Sequence, residues 1–110
     1  MIVEMRTYTL ALGATGRYFK LYAEKGLAVQ KRILGHLAGY YSVEVGGLNQ
    51  VIHLWAYDSF EERARRREEL WADSEWLAYV REIGPLVTKQ ENQILTPAPF
   101  FQVPAPDESV

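Results

Sequence analysis

Three rings able to bond or react, those of His53, Trp55 and Tyr57, stand two residues apart in the run Gln50-Val51-Ile52-His53-Leu54-Trp55-Ala56-Tyr57. Alternation with a period of two puts them on one face of a β-strand, with Ile52, Leu54 and Ala56 on the other. An imidazole titrates near neutrality, so His53 in a cavity can carry a proton to or from a bound molecule. The same ring can equally be a hydrogen-bonded group in the sheet core or at a subunit junction. A second set with the same spacing opens the chain, where Glu4, Arg6 and Tyr8 share one strand face. Buried charges must be paired. The cluster can therefore be a site that holds a polar or anionic ligand with Arg6 and positions it against His53, or an interfacial ion pair of Glu4 and Arg6 that fixes the register of two subunits.

Four more residues join the candidate pocket. Tyr41 and Glu44 lie on the strand preceding His53, and Asn92 sits in the polar run Gln90-Glu91-Asn92-Gln93. Arg67 falls by helical phase among Phe60, Leu70 and Trp71. An arginine there can lay its stem on apolar surface and keep its head wet, or reach a ligand at a pocket mouth. His36, between a helix and a strand, reads as a surface or helix-capping residue. Asn49 reads as a turn residue.

Other chemistries find no support in the residues. With no cysteine, thiolate catalysis, disulfides and thiolate metal sites are excluded. Two histidines without paired-ligand spacing do not make a zinc site. Gly46-Gly47 sits in a hairpin, not in a phosphate-binding loop between strand and helix. No metal or cofactor is expected.

The elements that must position these residues can be read along the chain. Ile2 to Leu10 is strand-like, and an amphipathic helix runs from Ala14 or Thr15 to about Leu34, with Phe19, Tyr22, Ala23, Gly26, Gln30, Ile33 and Leu34 on its apolar side. Gly26 on that side predicts close contact with a sheet, and Gly35 ends the helix. Two strands joined by a tight turn at Gly46-Gly47-Leu48-Asn49 follow, from Gly39 to Tyr57. Ser59 with Glu62 forms a capping box. It opens a helix whose inner stripe is Phe60, Ala64, Arg67, Leu70 and Trp71. Asp73-Ser74 starts another helix, lined by Trp76, Tyr79, Val80 and Ile83 and stopped by Gly84-Pro85. Val87 to Leu95 is a last strand, polar enough for an edge or a wet subunit junction. Residues 1–96 thus form one domain, and residues 97–110 a proline-rich tail, extended and partly disordered, in which Phe100 and Phe101 can anchor the first half.

The order β-α-β-β-α-β is the ferredoxin-like split arrangement, an α+β fold with a four-stranded antiparallel sheet and both helices on one face. The first and third strands lie together at its centre. The opposite face is left open and apolar, which predicts a homodimer or higher oligomer in which two sheets enclose a cavity, a dimeric α+β barrel. Meeting the helices needs the more apolar face of the first strand. Val3 and Met5 are therefore expected against the helices, with Glu4, Arg6 and Tyr8 facing the inter-subunit cavity beside His53, Trp55 and Tyr57.

A chain of 110 residues with net charge −2 has no basic field to draw nucleic acid or anionic lipid. The cluster Arg63-Ala64-Arg65-Arg66-Arg67 is flanked by Glu61, Glu62, Glu68 and Glu69, and reads as a solvated helix face with pairs three and four residues apart. No run is long and apolar enough for a membrane span. The opening Met1-Ile2-Val3-Glu4-Met5-Arg6 is unlike a secretory signal, and the cytoplasm is the expected compartment.

Several motifs in order, Glu4-x-Arg6-x-Tyr8-x-Leu10, Gly39-Tyr40-Tyr41-x-x-Glu44-x-Gly46-x-Leu48-Asn49, His53-Leu54-Trp55-x-Tyr57, Arg63 with Arg66-Arg67, Trp76, and Gln90-Glu91-Asn92, resemble the NIPSNAP family over about residues 1–101. The resemblance implies a ferredoxin-like subunit in a dimeric α+β barrel, and no defined reaction. Three functions follow as expectations. The first is a homodimeric barrel whose cavity binds a small molecule. The second is a non-enzymatic interaction or scaffold protein. The third is a cofactor-free monooxygenase or isomerase, by analogy with related barrels.

Overall fold

A computed structural model describes residues 1–106; the last four tail residues lie outside the described part. The strands are β1 (Ile2–Leu10), β2 (His36–Ser42), β3 (Gln50–Tyr57) and β4 (Val87–Leu95). The helices are α1 (Thr15–Leu21), α2 (Leu27–Leu34), α3 (Phe60–Trp71) and α4 (Ser74–Ile83). The sheet order is β2-β3-β1-β4 and each pairing is antiparallel, so β1 and β3 form the centre as expected. The fold is α+β and ferredoxin-like, with a helical layer on one face.

The caps follow the sequence. Ser59 Oγ accepts from the Glu62 N–H at 3.1 Å, and Glu62 reaches back to the Asp58 N–H at 2.8 Å. The Asp73 side chain accepts from the Trp76 N–H at 3.0 Å and starts α4. Gly35, at φ 90°, closes α2 where a side chain would be strained.

Other expectations need correction. The first helix is not one α-helix, because a π-helical turn over Tyr22–Gly26 separates α1 from α2. The wider turn brings Tyr18, Tyr22 and Gly26 to the buried side, while Ala23 is exposed. Gly26 contacts another helix rather than the sheet. A Cβ there would come within 2.8 Å of the Tyr22 ring and 3.0 Å of the Tyr79 ring on α4. Gly26→Ala is therefore expected to destabilise by about 1–3 kcal/mol through overpacking, despite alanine's better helix propensity. Chemical denaturation would measure it, and a stabilised variant would contradict the close contact. β2 begins at His36 and is bulged between Leu37 and Gly39. The turn after it is a seven-residue loop, 43–49, in which Asn49 has φ 58°.

The largest correction concerns the sheet faces. Glu4, Trp55 and His53 are 0%, 0% and 1% exposed, and they share the helix-facing side with Tyr8, Tyr40 and Tyr57. Val3 and Met5, expected to meet the helices, lie on the opposite face with Ile52, Leu54 and Ala56. Residues after β4 return across that face. Phe101, Val103 and Pro104 join Val3, Ala38, Tyr41, Leu54 and Leu95 around an apolar cleft of about 430 Å³. His36 Nε2 lies 2.7 Å from the Pro104 carbonyl oxygen, which holds the returning segment to β2. Phe100 does not anchor and is 93% exposed. Among the described residues no helix is long and apolar enough to cross a membrane.

Candidate functional site

One cross-sheet row places Tyr40, His53, Arg6 and Asn92 side by side, and the next places Leu37, Trp55, Glu4 and Ile94. Glu4 is at the centre of a charge cluster. It accepts from Arg63 Nε and a terminal nitrogen of Arg63 at 3.0 and 2.8 Å, from Arg6 at 3.0 Å and from Asn92 at 2.9 Å. Burial alone would raise its pKa, but the hydrogen bonds from Arg63 and Asn92 and the charges of Arg6 and Arg63 hold it down at about 2. Arg6 Nε also donates to the Tyr8 hydroxyl at 3.2 Å.

The arginine cluster on α3 is thus only partly a solvated face. Arg66 pairs with Glu62 at 2.8 Å as the spacing predicts, and it also donates to the Ile33 carbonyl at 2.9 Å. Arg63 turns inward to Glu4. Arg67 is half-buried and makes no side-chain hydrogen bond among the described residues. Burial, followed by the charge of Arg6, pushes its pKa down. The other residues of the expected inner stripe, Phe60, Ala64 and Trp71, are exposed, and Leu70 is buried.

His53 lies between two rings. Tyr40 stacks on it at 4.7 Å between centroids, and Tyr8 meets it edge-on at 4.8 Å. Trp55 Nε1 donates to His53 Nδ1 at 2.7 Å. An indole N–H can only donate, so Nδ1 is the acceptor and Nε2 carries the proton of the neutral ring. Nε2 is buried and has no partner among the described residues. Burial, reinforced by the charge of Arg6, lowers the His53 pKa to about 3, so the ring is neutral at physiological pH.

Arg6, Tyr8, Tyr40 and His53 form one wall of a pocket of about 390 Å³ within the single chain, between sheet and helices. Tyr18 and Tyr22 come from the first helical segment, Trp76, Tyr79 and Ile83 from α4, and Gln90 from β4. The Tyr18 and Tyr40 hydroxyls lie 2.5 Å apart, and Tyr22 donates to Gln30 Oε1 at 2.5 Å. Burial raises the pKa of Tyr18, Tyr22, Tyr40 and Tyr79, so all four are neutral phenols. Trp76 Nε1 is a second buried donor at this pocket without a partner among the described residues.

The structure therefore brings His53, Arg6 and Tyr8 together at the pocket, with Glu4 and Asn92 directly behind Arg6. Trp55 supports His53 from outside the lining. Tyr57 is buried beside the charge cluster, and burial with the nearby Glu4 charge pushes its pKa up to about 12. Two candidates are displaced: Glu44 is exposed in the 43–49 loop, and Tyr41 is on the opposite face, 59% exposed. Arg63, Tyr18 and Tyr40 are the residues that the sequence reading left out. For Tyr18 the available signal is its spacing of four from Tyr22, which puts two rings on one side of the first helical region; nothing local marks Arg63 or Tyr40. Among the described residues no group of three or more His, Asp or Glu could hold a metal ion.

The chain is similar to known proteins along nearly its full length. The family model described as NIPSNAP matches residues 3–102. A crystal structure of an uncharacterized NIPSNAP-like domain protein from Burkholderia xenovorans is 41% identical, with a TM-score of 0.92, covering 98% of this chain and 95% of that one. Protein NipSnap homolog 3A of Homo sapiens is 31% identical over 105 residues, covering 94% of this chain and 42% of the relative. The chain spans well under two-thirds of the length of the curated relatives it matches. SnoaB, a cofactor-independent oxygenase from Streptomyces nogalater, shares the fold at 15% identity and a TM-score of 0.60, over 87% of this chain and 91% of that one. The matching family model over residues 3–102, and the shared architecture beneath it, establish that the chain belongs to the NIPSNAP family.

Proposed function

We propose that the pocket between helices and sheet binds a small molecule. The observation that carries this reading is the unpartnered Nε2–H of His53 at the wall of a tyrosine-lined pocket of about 390 Å³. Leaving a buried donor unpaired costs about 1–3 kcal/mol, which a bound acceptor would recover. The pocket also falls in the size range of ligand sites, about 300–1,000 Å³. His53 then acts as a hydrogen-bond donor and not as a proton shuttle, because its Nδ1 is occupied by Trp55. Native mass spectrometry of protein taken directly from cells is expected to show a bound small molecule that His53→Phe has lost. Retention of the same adduct by the variant would count against the pocket.

Cofactor-free oxygenation or isomerisation is a narrower form of this proposal. Neutral donors aimed at a developing enolate or phenolate oxygen would stabilise it, and the likeness to SnoaB supports the fold for such chemistry.

The open sheet face supports a separate proposal, association with a second copy. Tyr41, Leu95, Phe100 and Phe101 are 59%, 37%, 93% and 57% exposed there and on the returning segment. Such a cluster favours burial against another chain. Sedimentation velocity at micromolar protein is expected to give a dimer, and Phe101→Asp to shift it toward monomer. A well-folded monomer for the parent chain would rule this association out and would leave the pocket untouched, since that pocket lies within one chain.

A further inference from the structure

We infer that the pocket selects a small anion carried on a flat aromatic body, such as an aryl carboxylate or an enolate of similar size. The inference rests on the small-molecule reading of the pocket and names its ligand class. Three observations carry it.

The first is a charge imbalance. Arg6 and Arg63 share one carboxylate, that of Glu4. Arg67 adds a third positive charge with no hydrogen-bonded partner among the described residues. Surplus charge in a poorly solvated site raises the affinity for a counter-ion. The second observation is where that counter-ion can sit. Arg6 is the cation that the helix-facing sheet surface presents to the pocket, and among the described residues no aspartate or glutamate is in the lining. Lys89 also borders the pocket, but it pairs at 2.8 Å with Glu91, which lies opposite Thr7 on the other sheet face. The third is the donor set. Both buried nitrogens left unpartnered at this pocket, His53 Nε2 and Trp76 Nε1, carry hydrogens. Only an acceptor satisfies them, and an anionic oxygen is the strongest acceptor.

Shape supplies the aromatic part. Tyr22 and Tyr40 lie ring to ring at 4.7 Å, and Tyr79 faces Tyr22 at 5.9 Å. These walls suit offset or edge-on contact with a flat ligand. The volume holds about a dozen waters at liquid density, room for one or two rings with an acid group.

The test is calorimetric titration near neutral pH with benzoate and naphthoate, each against its own carboxamide. Each acid is expected to bind at least about tenfold tighter than its amide, the scale of charge-assisted hydrogen bonding. Added salt is expected to shrink that preference. Arg67→Gln, which removes charge without removing a hydrogen bond, is expected to weaken the acid severalfold and leave the amide unchanged. Amides binding as tightly as the acids would overturn the anionic class while leaving a small-molecule pocket standing. Failure of all four compounds to bind would overturn this inference, and the mass spectrum of protein from cells would then decide the pocket reading independently.

Discussion

Replacing Glu4 with alanine is expected to lower the unfolding free energy by about 3–5 kcal/mol, the cost of breaking a buried ionic network by removing one partner. Glu4 is fully buried and accepts from Arg6, Arg63 and Asn92, so the change leaves two guanidiniums without their carboxylate. The loss is shared by three elements, because those partners come from β1, α3 and β4. Urea titration of both proteins measures it. Truncating the exposed Lys25–Glu82 pair, which also has good geometry, is expected to change stability by less than about 1 kcal/mol. A Glu4→Ala loss as small as that control would mean that the network contributes geometry and little stability.

Acidification is expected to destabilise the chain from mildly acidic pH downward, with His53 as the first contributor. Its folded pKa of about 3 lies below the ordinary 6.5, so the unfolded chain binds the proton more readily. The stabilisation is fully present above about pH 6.5 and is lost as pH falls toward 3. Between pH 6.5 and 4 the loss is of order 3 kcal/mol. Glu4, held at about 2 against an ordinary 4.5, adds a second loss that begins below about pH 4.5. Because the two windows differ, mutation separates them. His53→Gln is expected to flatten the stability profile between pH 6.5 and 4.5 and to keep the steep fall below it. A variant whose profile parallels the parent's through that upper window would show that His53 is not the group responsible.

The order of elements, the central pairing of β1 with β3 and both helix caps were legible because each is set by local chemistry. Alternation marks strands, Ser59 and Asp73 mark helix starts, and Gly35 marks an end. That His53, Trp55 and Tyr57 share a face with Glu4, Arg6 and Tyr8 was legible for the same reason. The direction of that face was not. Averaged polarity assigns the charged side of β1 away from the helices, but the Glu4 carboxylate there is paired by Arg63 from fifty-nine residues later and hydrogen-bonded by Asn92 from eighty-eight later. A one-dimensional pattern contains no record of such pairs. The α3 arginines were misread for a related reason: glutamates three and four residues away explain Arg66, and only the folded chain shows that Arg63 has a buried partner. The location of the pocket moved with the face, from a space between two chains to one within a single chain.

The π-helical turn over Tyr22–Gly26 has a consequence for how this site can vary. A turn of this kind holds one residue more than an α-helical turn, so deleting a residue from it would let the segment relax into continuous α-helix. The helices on either side would keep roughly their present facing, because the wide turn already absorbs the extra residue that would otherwise rotate one side by about 100° relative to the other. Tyr18, Val29 and Ile33 would stay on the buried side, while the wide turn that presents Tyr22 and seats Gly26 against Tyr79 would be lost. The part of the binding space that Tyr22 lines is therefore set by one extra residue in a helical turn. Side-chain exchange can tune that space, and a deletion there would reshape one wall while leaving the flanking helices in place.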